Sequence, residues 1–377
     1  MPGTVSLQSA IAALPEPLPA RVVGAVDAII AAAEAAGASD VHLQPGPVEL
    51  QIRFRLDGVL LPIATLPMSL TANIVARFKV LAELLTYRLD IPQEGSVRRG
   101  DHLPALRVST FPTVHGEKVV VRFFAAAGRL STLEALGLSG PQQSALRRIL
   151  AERTGAILFT GPSGSGKTTT AYACLRSILS ASPGRNLVSI EDPVECLVPG
   201  VSQSQIRPGS DFDFPRGLRS ILRQDPDVLL VGEVRDPGTA AIASEASLTG
   251  HLVLSTLHSG SCCGAVSRLL EMGVEPYLLT SGLRAVVNQR LLRQACGDCQ
   301  GNGCSACLGT GYRGRLLVAE LLEPDAGFRR AILARGDLET LNAAAGERTR
   351  LKVVAEEAVS QGRTTHEEVA RVLGSDS

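Results

Sequence analysis

Apolar side chains recur at every second position through Leu50, Ile52, Phe54 and Leu56, stop at Asp57-Gly58, and resume at Val59. A period of two places those four residues on one face of a strand, and Asp-Gly is a favoured two-residue turn, so the pattern predicts a β-hairpin. "DVHLQPG" before it, and "LPALRVSTFPT" and "EKVVVRFF" after it, read as further strands. The spacing predicts one helix over about 21–36, closed by Gly37, and a second near 70–88. Residues 38 to about 125 are therefore expected to form a small α+β domain. The Pro-rich residues 1–20 are expected to be loosely held, and "AAAGRLSTLEALGLSG" reads as a linker into a helix at 140–152.

From residue 155 the pattern changes. "GAILFTG", "NLVSIED", "DVLLVGEV" and "HLVLSTLH" are short continuous apolar runs that end in polar or charged residues. Strands buried on both faces, with chemistry at their carboxy-terminal ends, produce that pattern in a parallel sheet. Helical segments are expected at 216–224, 237–249, 261–272 and 276–293, and again through the tail from about 326. The fold class is α/β, divided into a flexible 1–20, an amino-terminal domain 21–128, a larger domain 129–325 and a helical segment 326–377. No internal repeat or low-complexity tract interrupts it.

Composition narrows the function. Apolar residues make up 45% of the 377, which suits globular cores, but aromatics are only 3% with no Trp. Such a chain has little with which to stack bases of a single strand. Lys plus Arg equals Asp plus Glu, at 37 each, so coating DNA or anionic lipid is not its main work, and direct nucleic-acid binding is not expected. No basic-headed leader opens the sequence and no apolar run approaches the roughly 20 residues that span a bilayer. The expected location is the cytoplasm, with any membrane association peripheral.

The strongest chemical signal is "GPSGSGKTTT", in which Gly161, Pro162, Ser163, Gly164, Ser165, Gly166, Lys167, Thr168 and Thr169 follow an apolar strand and open a helix. Backbone N–H groups of such a loop, at the positive end of a helix, bind phosphate oxygens. Lys167 is placed to reach the β- and γ-phosphates of ATP and Thr168 to ligate Mg²⁺. Hydrolysis also needs an acid at a neighbouring strand end. Glu233 follows "DVLLVG", and Glu191, Asp192 and Glu195 follow "NLVSI". His251 and His258 bracket "LVLSTL" and are candidates for contacts to the γ-phosphate or the attacking water.

Taken in order, "GPSGSGKTTT", "SIEDPVE", "GLRSILRQDPDVLLVGEVRD" and "LTGHLVLSTLH" resemble the Walker A, Asp box, Walker B and His box of secretion ATPases, the motors of type II secretion, type IV pili and competence. "ASDVHLQP", "RFRLDGVL", "RVSTFPTVHGEKVVVR" and "GYRGRLLVAELL" extend the resemblance from about residue 20 to 375. The resemblance implies a RecA-like P-loop NTPase core and a PAS-like amino-terminal domain, assembled as a hexamer whose domains move as ATP turns over. It implies an inner-membrane platform protein as partner. By position it makes Glu233 the Walker B acid, Glu191 the first choice as general base and Glu195 the second. It also implies arginines at the γ-phosphate: Arg107 and Arg122 from the small domain, and Arg219 or Arg223 from the core. Guanidinium groups there would stabilise charge developing on the transferred phosphoryl group.

Cys174, Cys196, Cys262 and Cys263 are scattered and read as small buried apolar residues. Cys296, Cys299, Cys304 and Cys307 are different: C-x₂-C-x₄-C-x₂-C, interspersed with glycine, can wrap a tetrahedral Zn²⁺ with no open ligand position. Loading members of the resembled family carry a four-cysteine zinc site here, with a longer link between the pairs, and retraction members generally lack one. Assembly or secretion is therefore the expected role, with pilus retraction the nearer alternative and nucleic-acid translocation the more distant one. The opening of the chain is expected to be the small domain itself, without the further docking domain that loading members usually carry.

Overall fold

The computed structural model describes residues 7–14, 18–99, 106–123, 132–206, 211–346 and 348–374. Two units divide the chain, Met1–Ala126 and Ala127–Ser377.

The first unit runs α1 (Leu7–Ala12), α2 (Leu18–Ala36), β1 (Asp40–Pro45), β2 (Glu49–Leu56), β3 (Val59–Pro67), α3 (Met68–Leu81), β4 (Gln93–Val97), β5 (Leu106–Thr113) and β6 (Gly116–Phe123). The strands form one antiparallel sheet in the order β3-β2-β1-β6-β5-β4. Asp57 and Gly58 both take positive φ, 48° and 86°, and Leu56 pairs with Val59, so the turn is the two-residue hairpin the sequence calls for. The alternating apolar face packs on α2 and α3 through Ile29, Ile52, Phe54, Ile74 and Phe78.

Three details differ from expectation. Residues 7–12 are helical, not loose, because Leu7 and Ile11 are buried in this core; residues 1–6 and 15–17 lie outside the described set. Helix α3 stops at Leu81, short of 88, where Glu83 turns the backbone left-handed (φ 59°). Its last turn is anchored by Lys79, which is fully buried, bonds Arg88 O at 2.7 Å and pairs with Glu117 at 2.5 Å. Strand β4 has no apolar alternation to announce it; Gly95 is needed because a Cβ there would lie 2.3 Å from Ala82 O.

The second unit continues with α4 (Gly140–Leu150), β7 (Gly155–Thr160), α5 (Lys167–Ala181), β8 (Leu187–Glu191), β9 (Val201–Gln205), α6 (Phe214–Ile221), β10 (Val228–Val231), α7 (Pro237–Ala246), β11 (Leu252–Leu257), α8 (Cys262–Glu271), α9 (Pro276–Gly282), β12 (Leu283–Ala295), β13 (Tyr312–Leu322), α10 (Ala326–Leu333), α11 (Leu338–Ala344), α12 (Leu351–Ser360) and α13 (His366–Leu373). The sheet order is β13-β12-β7-β11-β10-β8-β9, parallel except for β13. Successive residues feed opposite layers: Val228 and Leu230 join the cluster with α4 and α5, whereas Leu229 and Val231 join the one with α6, α7 and α8. Every residue of β8 and β11 is buried, which explains their unbroken apolar runs.

The helix expected over 276–293 is a correction. Only Pro276–Gly282 is helical, and β12 takes over at Leu283 for 13 residues. Between β7 and β13 its residues 285–289 are buried on both faces, so the sequence shows no two-residue alternation there, and periodicity does not separate such a strand from a buried helix. Helices α12 and α13 close the end of β12 and β13 around Leu292, Val318, Ala355 and Val369. There Glu368, wholly buried, accepts from Arg293 N (2.9 Å) and Nε (2.8 Å) and from Arg371 Nη2 (2.6 Å). Burial pushes its carboxyl up, but these donors hold it below the ordinary range.

Candidate nucleotide site and cysteine cluster

Strand β7 delivers the chain to Gly161 (φ 144°), Gly164 (φ 75°) and Gly166 (φ 88°), and α5 starts at Lys167. A Cβ on Gly161 would sit 2.5 Å from Gln289 O, so no other residue fits that approach. The first amides of α5 have no partner within the helix and face the loop, which makes the concavity an anion site. Lys167 Nζ donates to Gly161 O at 2.9 Å and Pro162 O at 3.0 Å. Burial lowers its pKa, and the carboxylates of Glu233 and Glu195 oppose that effect.

Thr168 Oγ1 stands 3.5 Å from Glu195 Oε1, and Glu195 is exposed. Glu191 is not. It ends β8 at 2% exposure and accepts from the Tyr172 hydroxyl, Ser189 Oγ (2.5 Å) and Gln203 Nε2 (3.1 Å). Tyr172 Oη accepts in turn from Glu195 N at 3.2 Å; burial first, and then the Glu191 charge, drive the phenol pKa far up. Glu191 thus braces the loop that carries Glu195. Past β10, Glu233 Oε1 lies 3.0 Å from His258 Nε2, and its Oε2 accepts from Arg235 Nε at 2.6 Å. Arg235 also reaches Asp192 at 3.4 Å. Lys167, Thr168, Glu195, Glu233 and His258 all follow carboxy-terminal strand ends on one edge of the sheet.

Other candidates stand elsewhere. His251 precedes β11, and its carbonyl accepts from Gly155 N (3.2 Å) at the start of β7. Parallel pairing then separates it from the phosphate loop by the length of β7, about 17 Å at ~3.3 Å per residue. His251 and His258 thus stand at opposite ends of β11, as bracketing that strand implies. Only His258 shares the edge of the phosphate loop, so the γ-phosphate contact considered for both is not open to His251. Arg223 is likewise at the far edge, beside Gln224, whose carbonyl accepts from Asn186 just before β8. Arg219 is exposed on α6. Within the first unit, Arg107 and Arg122 face each other across β5 and β6. Arg122 Nε donates to Asp40 Oδ1 at 2.9 Å, and Arg107 pairs with Glu94. Sequence reasoning missed Tyr172, Gln203, Arg235 and Gln289, each of which meets a site partner 12 or more positions away that no local spacing announces.

The four cysteines converge between β12 and β13. Their sulfur atoms lie within 4.8 Å of one another, with 3.9 Å for Cys296–Cys304, 3.8 Å for Cys299–Cys307 and 3.7 Å for Cys304–Cys307. A tetrahedron with Zn–S bonds of ~2.3 Å has edges of ~3.8 Å, so the donor set fits that ion. Amides of Gly303 (3.2 Å to Cys299 Sγ), Cys304 (3.1 Å to Cys307 Sγ) and Gly311 (3.2 Å to Cys307 Sγ) donate to the sulfurs. Against the upward push of burial, the Cys304 and Gly311 amides bring Cys307 down to about 6, a thiolate ready for metal, whereas burial holds Cys299 up at about 11. Cys174, Cys262 and Cys263 are buried, as expected, whereas Cys196 is half-buried beside Glu195.

A phosphate loop on a parallel sheet, with acids at the adjoining strand ends, defines a RecA-like P-loop ATPase core. Solved structures with this fold include the Legionella pneumophila ATPase DotB, with a TM-score of 0.69 at 23% identity over 91% of this chain and 93% of that one. The pilus retraction motor PilT with bound ADP aligns at 0.65 and 25% over 93% and 96%. The chain belongs to the family described as "Type II/IV secretion system protein", which it matches over residues 19–371. It is 39% identical to the type II secretion system ATPase E of Vibrio cholerae over 94% of this chain and 75% of that protein, and 43% identical to type II secretion system protein E of Klebsiella pneumoniae over 94% and 76%. With the type IV pilus assembly ATPase PilB of Thermus thermophilus it shares 39% over 88% of this chain and 41% of that protein. None of the described helices is long and apolar enough to cross a membrane.

Proposed function

We propose that this chain is a Mg²⁺-dependent ATPase that works as a hexameric motor for type II secretion or type IV pilus assembly. It acts at the cytoplasmic face of the inner membrane on a platform protein there. The observation that carries this is the convergence of Lys167, Thr168, Glu195, Glu233 and His258 on one sheet edge, in a chain similar to type II secretion ATPases over 94% of its length. The loop amides and Lys167 bind the phosphates. Mg²⁺ held through Thr168 would neutralise charge between the β- and γ-phosphates. Glu233 and His258 meet the γ-phosphate end, and Arg107 and Arg122 are the candidates to complete it, from the same chain or a neighbouring one. The cysteine cluster is a structural zinc site and favours loading over retraction. Glu233→Gln should bind ATP, hydrolyse it at least about a hundredfold more slowly, and freeze the spacing between labels on the two units, which toggles in the wild type. Unchanging wild-type spacing in the empty, ATP and ADP forms would sink the motor reading.

Glu195, not Glu191, is the general base in this proposal, because the buried Glu191 oxygens are committed to Tyr172, Ser189 and Gln203. Glu195→Gln should lower kcat about 10²–10⁴-fold with ATP affinity retained. Glu191→Gln should reduce thermal stability as well as turnover, because its amide nitrogen cannot accept from those donors. Equal loss of kcat from both, with stability unchanged in both, would reverse the assignment.

A further inference from the structure

Three consecutive residues of β12 stand under the nucleotide site, and no motif accounts for them. Gln289 is fully buried, and its Nε2 donates to Ser165 O in the phosphate loop at 2.9 Å and to Thr170 Oγ1 in α5 at 3.2 Å. Its carbonyl is the atom that Gly161 approaches. Gln289 Oε1 and Ser165 Oγ, also buried, have no partner among the described residues, a cost proteins retain where a site must be built. The neighbours on either side point to the other face of the sheet. Asn288 Nδ2 (3.1 Å) and Arg290 Nη2 (2.9 Å) donate to one and the same carbonyl, Gly260 O, two residues past His258. Arg290 Nη1 bonds Asn288 Oδ1 at 2.9 Å and the main-chain Gln289 O at 2.9 Å, which locks the pair onto the strand, and none of the described ion pairs involves Arg290.

We infer that Asn288, Gln289 and Arg290 are positioning residues that set the two halves of the nucleotide site from one strand: Gln289 fixes the phosphate loop, while Asn288 and Arg290 fix the loop that carries His258. This rests on the proposed nucleotide reading and adds a division of labour to it. The phosphate loop grips ground state and transition state alike, so loosening it weakens binding without slowing the chemical step. His258, beside Glu233, acts where the γ-phosphoryl group is transferred, so displacing its loop slows turnover without weakening binding.

Adjacent substitutions should therefore split the kinetics. Gln289→Leu keeps the volume and removes the donor. It should raise the Kd for both ATP and ADP about tenfold, with kcat within about twofold. Arg290→Lys keeps the charge but loses the fork to Gly260 O and Asn288 Oδ1. It should lower kcat about tenfold with Kd within about twofold. Gln289→Glu and Asn288→Asp are second variants with the same respective expectations, should either first variant fail to fold. Binding is read with a fluorescent ATP analogue and with ADP, turnover by phosphate release, and folding by melting temperature. If both strand sites move the same parameter together, or neither moves one while Lys167→Ala abolishes binding, this inference falls and the nucleotide site stands. If Lys167→Ala also binds normally, both fall.

Discussion

Lys167→Ala should lose nucleotide binding and lower turnover by at least about a hundredfold. The ammonium group lies within the loop, where it folds onto Gly161 O and Pro162 O. Hydrogen bonds to charged groups stabilise by about 1.5–3 kcal/mol each, and a lysine that bridges the β- and γ-phosphates makes two. Alanine removes those bonds and the two carbonyl contacts that keep the loop in shape, and helix amides alone do not replace a charge. A fluorescent nucleotide titration beside a phosphate-release assay reads both effects. Unchanged affinity and turnover would refute the site.

The second large effect concerns metal. Freshly purified reduced protein should contain one zinc per chain, and Cys307→Ser or strong chelation should remove it and lower the melting temperature by roughly 5 °C or more. Cys307 is the most heavily used sulfur, with amides of Cys304 and Gly311 donating to it, and Cys296 directly follows β12. Without the ion, four thiols at 3.7–3.9 Å spacings lose their common partner, and the segment joining β12 to β13 loses its anchor. The pH dependence has a defined sign. Metal binds thiolates, so affinity falls as acidification protonates the ligands. Elemental analysis that finds no zinc would remove the structural-metal argument.

Much of the site was legible because it is local. The glycines of the phosphate loop take φ of 144°, 75° and 88°, conformations that other residues rarely adopt, and they stand where the spacing says. The Asp57-Gly58 hairpin follows from the same preference, and the cysteine spacing brings four sulfurs together within 12 residues. What was misread or left open depends on partners elsewhere along the chain. β12 looks helical until it is placed between β7 and β13. His251 and His258 bracket β11 in the sequence, but only parallel pairing with β7 shows which of its two ends shares the edge with the phosphate loop. Glu191 outranks Glu195 by position in the motif, and only the side chains of Tyr172 and Gln203 show that Glu191 is enclosed.

The sequence by itself determined the chemistry available to this protein: a phosphate grip, acids at strand ends, a tetrahedral sulfur set and an α/β core. Each rests on backbone preferences or spacings that a few neighbouring residues specify. The tertiary structure alone decided which acid faces Thr168, which histidine meets Glu233, and that Asn288, Gln289 and Arg290 stand beneath the loops. Those outcomes depend on strand order and register between segments 25 or more residues apart, from Glu233 and His258 up to Gln289 and Ser165, 124 positions from each other. No local pattern encodes such pairings.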